Sequence, residues 1–189
     1  MGVVKGVSSG IVTSRPTADP AGANFDMATA TLEQILTVQV VIPAGMGKIV
    51  ELGFWLSSSQ SSRNYELGVY ADSADLPTSL LPGASQANDL PAYASNTWLF
   101  AAVDIAVTPG SKYHLALQID LGGTARIDRT VAAGDPTTYL TDQSTLIDPN
   151  TVGGSTTNSI YSLYAICEAG APSGPAIPVL MNQYRQRRA

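Results

Sequence analysis

The sequence predicts an all-β fold, an antiparallel β-sandwich of jelly-roll type with extended N- and C-terminal arms, on three observations. Apolar and polar residues alternate in segment after segment between residues 30 and 168, the period that puts one face of a strand on a core. Clusters of Gly, Pro, Ser and Thr punctuate those segments at turn-like intervals. No stretch carries the 3.6-residue spacing of an amphipathic helix. An immunoglobulin-like sandwich is the competing architecture, but its cysteine pair and buried-Trp spacing are absent from a chain with one Cys.

Residues 1–29 lack a sustained period, carry Pro16 and Pro20, and read as an extended arm. The body, residues 30–169, opens with a strand over Thr37–Ile42 that stops at Pro43-Ala44-Gly45. In the next strand Val50, Leu52, Phe54 and Leu56 share one face, with Glu51, Gly53 and Trp55 on the other. A polar turn at residues 57–62 leads into Tyr65–Asp72, with Leu67 and Val69 inward. Residues 73–96, with Pro77, Pro82 and Pro91, read as an irregular surface connection. Trp98–Val107 and Lys112–Leu121, joined by Thr108-Pro109-Gly110-Ser111, read as a hairpin. A short strand over Ala125–Thr130, a loop over residues 132–157 and a last strand over Ser159–Glu168 complete about seven or eight strands. Residues 170–189 form a Pro-rich arm with a basic end, in which proline prevents ladder formation.

The chain has 189 residues, enough for one well-buried core. Only 13% are charged, against about 25% in an average soluble domain, so the surface is neutral and hydroxyl-rich. Residues 1–169 hold seven basic against fifteen acidic residues, net −8, and the tail adds +3. The body therefore repels nucleic acid, and only the tail has the charge to touch it. No run reaches the ~18 apolar residues of a membrane span, and the N-terminus lacks the apolar core of a signal peptide, so the expectation is folding in a cytoplasm.

One His and one Cys remove most nucleophile, general-base and metal constellations, which need several convergent groups. The expectation is no enzyme, no cofactor and no metal. Cys167 shares a strand face with Tyr161, Leu163 and Ala165 and reads as a core thiol. His114 falls on the polar side of its strand with no second His to complete a zinc site. Asp72, Asp75 and Asp89 offer calcium-type oxygens without the spacing of a known calcium loop. No phosphate-binding glycine loop or nucleophile-elbow motif is present.

Two groups of residues stand out for binding. Trp55 and Trp98 form a ligand or subunit platform, either exposed or capped by a loop or arm. Val179, Leu180, Met181 and Tyr184, followed by Arg185, Arg187 and Arg188, combine apolar anchors with cations and suit a strap laid on a partner; a frayed, solvated end is the alternative.

Ile42-Pro43-Ala44-Gly45, the strand Ile49–Leu56, the strand Leu67–Asp72, the Trp-led strand at Trp98 and the Thr108-Pro109-Gly110 turn into Tyr113-His114-Leu115-Ala116-Leu117 carry a resemblance. Over Val41–Asp120 the chain resembles a jelly-roll module recurrent in phage structural proteins and in some bacterial surface or carbohydrate-binding proteins. With its two arms it is similar to tailed-phage head decoration (cement) proteins. That resemblance implies a non-enzymatic virion protein, made in the host cytoplasm, that binds the major capsid protein or other virion subunits, as a dimer or trimer. It carries no catalytic residue across. A carbohydrate-binding or host-recognition module, using Trp55, Trp98 and loop tyrosines such as Tyr93, is the alternative.

Overall fold

The alternating segments fold as strands, and none of the described residues is helical. The computed structural model describes residues 4–5, 9–29, 33–131, 137–141, 143–148, 155–157 and 159–170. In chain order the strands are β1 (Val4–Lys5), β2 (Ser9–Val12), β3 (Ala23–Ala28), β4 (Gln34–Val41), β5 (Met46–Ser59), β6 (Arg63–Ser73), β7 (Leu76–Leu80), β8 (Ser85–Leu90), β9 (Ser95–Ala106), β10 (Lys112–Ile119), β11 (Ala125–Val131), β12 (Thr137–Thr141), β13 (Ser155–Thr157), β14 (Ser159–Tyr161) and β15 (Leu163–Ala169).

They form two sheets packed face to face, a β-sandwich. The first sheet runs β1-β2-β15-β5-β11-β14, with β9 on the other edge of β5 and β3 on the other edge of β11. The second runs β13-β12-β4-β10-β6-β7, with β8 also on β6. All pairings among the described residues are antiparallel except β2 with β15. Between the sheets lie Leu36, Val38 and Val40 of β4, Leu52, Phe54 and Leu56 of β5, Leu67 and Val69 of β6, and Leu115 and Leu117 of β10. Leu52, Phe54, Leu56, Leu67 and Val69 take the inward phase that alternation assigns, but at the start of β5 it is Ile49 and not Val50 that is fully buried, because the register with β9 shifts between Ile49 and Glu51.

Two polar groups at the core's margin, Tyr65 and Arg63, find partners on the backbone of the same chain. The Tyr65 hydroxyl donates to the Phe100 carbonyl, 3.2 Å away. The buried Arg63 guanidinium donates to the carbonyls of Asp120 and Gly123 at 3.1 and 2.7 Å, pinning the 120–124 turn against β6. A second small apolar cluster, Ile35, Tyr70, Ala116, Leu140 and Leu146, forms on the outer face of the second sheet.

Several elements differ from the sequence-based expectation. Trp98–Val107 and Lys112–Leu121 do not pair with each other. β9 pairs with β5 in the first sheet, and β10 lies between β4 and β6 in the second. The Thr108–Ser111 turn is a crossing between sheets, tied to the 42–47 turn by Gly110 N–H to the Ile42 carbonyl (2.9 Å) and Val107 N–H to the Gly47 carbonyl (3.0 Å). Residues 73–96 are not irregular but contain β7 and β8. Pro77 sits in β7, which pairs on one side only, so its missing N–H costs no ladder bond. Within 132–157, β12 and β13 extend the second sheet. The last strand is broken at Ser162, where the chain changes partner from β11 to β5: the Ser162 carbonyl accepts from Trp55 N–H and its N–H donates to the Asp128 carbonyl, each at 3.0 Å.

The described part of residues 1–29 is extended and woven into its own chain's first sheet, β2 against β15 and β3 against β11. The C-terminal arm residues Val179, Leu180, Met181, Tyr184, Arg185, Arg187 and Arg188 lie outside the described residues.

Candidate functional site

The outward phase of the first sheet assembles an aromatic face. Trp55 on β5 stands opposite Trp98 on β9, and Gly53 stands between Phe100 on β9 and Tyr164 on β15. The Trp55 and Trp98 rings meet edge to face at 5.4 Å and 66°, and Trp98 meets Tyr164 at 5.4 Å and 73°, each pair contributing about 1 kcal/mol beyond its burial. Gly53 makes room for the row, since a Cβ there would lie 2.4 Å from the Tyr164 ring.

This face is covered. Residues 13–22, between β2 and β3, cross it as a strap fixed at three points. Arg15 reaches Glu51 through Nε at 2.8 Å to both carboxylate oxygens and through Nη2 at 2.5 Å, with its guanidinium 3.4 Å above the Phe100 ring. The Ala18 carbonyl accepts from Trp98 Nε1, 3.0 Å away. Gly22 N–H donates to the buried Asp128 carboxylate at 3.1 Å, which also accepts from the Ser57 hydroxyl. Trp55 is left 5% exposed, which places it in the capped alternative and not the open one. Trp98 is half-buried, and Phe100 remains 41% exposed at the strap's margin.

Under the strap, burial pushes the Glu51 carboxyl up, but hydrogen bonds from Arg15 and from the Tyr164 hydroxyl (2.8 Å), with the Arg15 charge, outweigh it and hold the group below its ordinary value. Glu51 is therefore an anion at neutral pH, and the Arg15–Glu51–Tyr164 set works as a clasp.

On the outer face of the second sheet, His114 is fully buried and its Nε2 lies 2.9 Å from Asp72 Oδ2. Burial pushes its pKa below the ordinary value against the raising effect of Asp72 and Asp75, so at pH 7 it is neutral. Gln39 donates to Asp72 and Asp75 at 2.9 Å each, and Lys112 pairs with Asp75. These two carboxylates are thus engaged by the chain's own donors, while Asp89 stands on β8 opposite Asn64. Among the described residues no three metal-type ligands cluster.

Cys167 packs against the core between the sheets, on the far side of the second sheet from His114, so the chain's one Cys and one His do not form a catalytic pair. Burial pushes the thiol up to about 11. Labelling by iodoacetamide at pH 8 is expected to be on the order of 100-fold slower in the native protein than in urea, where the thiol returns to about 8.5; comparable rates would place the thiol in an open, polar setting.

No family model matches the chain, and no match to it was found among curated proteins. Among solved structures, a clostridial cysteine protease captured after propeptide cleavage is similar with a TM-score of 0.50 at 11% identity. The match covers 83% of this chain, which spans 42% of the protease chain. At that identity the likeness shows the β-sandwich architecture alone.

Proposed function

We propose that this chain is a non-enzymatic structural protein of a virion, a decoration (cement) protein that binds a phage head as a dimer or trimer and stabilises it. The observation that carries the reading is the covered aromatic face. The surface best suited to a flat ligand is filled by the chain's own strap, which leaves binding to sheet edges and to the terminal segment 170–189. The separation of Cys167 from His114 and the resemblance over Val41–Asp120 support the same reading. A segment that binds weakly by itself binds strongly when several act together.

The test is co-sedimentation with expanded tailed-phage heads stripped of decoration, using the full chain and a chain lacking residues 170–189. Full-chain occupancy should survive washing, and truncation should lower it by about tenfold or more, as loss of multivalency does. Unchanged occupancy after truncation sinks the arm's role, and no binding by the full chain sinks the function.

One observation favours carbohydrate recognition as the second reading. Tyr93 is 84% exposed and held at a φ of 57° in the turn between β8 and β9, a conformation that costs a bulky residue energy and is concentrated at functional loops. A glycan array separates the two readings: specific sugar binding abolished by Tyr93→Ala or Trp98→Ala supports recognition and displaces the capsid reading.

A further inference from the structure

Independently of that reading, the cleft at one end of the sandwich has the chemistry of a ligand site. Where β3 and β11 of the first sheet meet the start of β4 in the second, an open cavity of about 490 Å³ is lined by Asn24, Phe25, Asp26, Gln34, Arg126 and Arg129, within the size range of small-molecule sites. Two side-chain atoms of its lining residues are buried without a hydrogen-bond partner: the Gln34 carbonyl oxygen and Arg129 Nε. One is an acceptor and the other a donor.

Their positions are fixed by the fold. Gln34 is in register with Ile119 and takes the inward phase that Leu36 and Val38 occupy further along β4, leaving it 5% exposed. Its amide nitrogen points at the Asp26 carbonyl, 3.4 Å away; the flipped amide would set two oxygens together, so the orphan is the oxygen. Arg129 lies over the Phe25 ring at 4.9 Å, and Phe25 is braced edge-on by Tyr161 at 5.1 Å. The Arg126–Asp26 pair, 2.6 Å apart, neutralises itself, so the lining residues carry one positive charge in excess, that of Arg129.

Buried unsatisfied groups are few in native proteins, and an orphan donor and an orphan acceptor belonging to two residues that line one cavity suggest what fits there. We propose that this cavity binds a small hydroxylated carboxylate, a sugar acid, whose carboxylate accepts from Arg129 Nε–H and whose neighbouring hydroxyl donates to the Gln34 oxygen. A carboxylate matches the guanidinium in charge and planarity. A phosphate dianion exceeds the single excess charge and meets Asp26. An extended peptide needs a backbone ladder, whereas both orphans are side-chain atoms on different sheets.

The experiment is a titration of the ¹⁵N-labelled full chain with D-glucuronate, D-glucose and an N-acetylated dipeptide acid, followed by amide shifts. Glucuronate is expected to bind at millimolar concentration with shifts centred on β3, β11 and the start of β4, and glucose about tenfold more weakly, the discrimination a charge-assisted contact gives. Arg129→Gln should weaken glucuronate by about tenfold, and Gln34→Leu by about threefold or more while leaving thermal stability unchanged or raised, because an apolar replacement removes an unsatisfied acceptor. The Gln34→Leu and glucose results decide the matter if Arg129→Gln does not fold. An oligosaccharide ending in a uronic acid that binds better than the monosaccharide identifies a polysaccharide end as the source, and the reverse order a free acid. No shifts with glucuronate, equal binding of glucose, equal or tighter binding of the dipeptide acid, or unaltered binding by both variants overturns the proposal.

Discussion

Gly53→Ala is expected to lower stability to urea by about 3 kcal/mol, the upper part of the range for overpacking. The added Cβ would lie 2.4 and 2.6 Å from two atoms of the Tyr164 ring and 2.7 Å from the Leu99 carbonyl oxygen. Neither neighbour can give way at low cost. The carbonyl is part of β9, which pairs with β5 along most of its length. The ring is held at its far end by the Glu51 hydrogen bond and on its flank by Trp98. Gly68→Ala supplies the control. Its Cβ would also come close, 2.7 Å from Leu146 Cδ1 and 2.9 Å from Leu80 Cδ1, but those are the ends of flexible side chains, and a loss of about 1 kcal/mol is expected. Equal losses at the two positions would mean that the Tyr164 ring is free to move, and the rigid aromatic row would not exist.

The same residues show what was legible in the sequence. Alternation placed Leu52, Phe54 and Leu56 inside and Gly53 and Trp55 outside correctly, because strand geometry fixes which side a residue faces. It could not tell whether an outward Trp is wet. That depends on a strap whose Arg15 lies 36 residues from Glu51, and no local pattern couples the two. Turn chemistry failed in a similar way at Thr108–Ser111, since a tight turn reverses the chain equally well within a sheet or across a sandwich; the choice is made by non-local bonds to the 42–47 turn. Three prolines in residues 73–96 argue against strands, yet Pro82 and Pro91 fall in the turns on either side of β8, and Pro77 lies in β7, which pairs with β6 alone among the described residues. The cavity at the sandwich end did leave a trace. Gln34 is a polar residue on the inward phase of β4, a local exception of the sort that marks functional or strained positions, and only the missing partner, seen in three dimensions, gives it meaning.

Tyr164→Phe is expected to cost about 2 kcal/mol at pH 7, the range for a hydrogen bond to a charged group, and to change how the protein responds to acid. The hydroxyl donates to Glu51, which is 8% exposed and depends on this bond and on Arg15 to stay ionised against its burial. A carboxyl whose folded pKa is lowered contributes stability that is complete above its unfolded value, near 4.5, and is lost as pH falls through the lower folded value. Removing the hydroxyl raises the folded pKa of Glu51, so the variant has less of this stability to lose and loses it at higher pH. Once Glu51 is protonated, only a neutral hydrogen bond distinguishes the two proteins, and the gap should narrow toward about 1 kcal/mol as pH falls through the lowered folded value. Urea unfolding of both proteins from pH 7 to pH 3 measures this directly. A gap that stays constant with pH would show that Tyr164 supports the aromatic row by packing alone, and that the clasp under the N-terminal strap is not electrostatic.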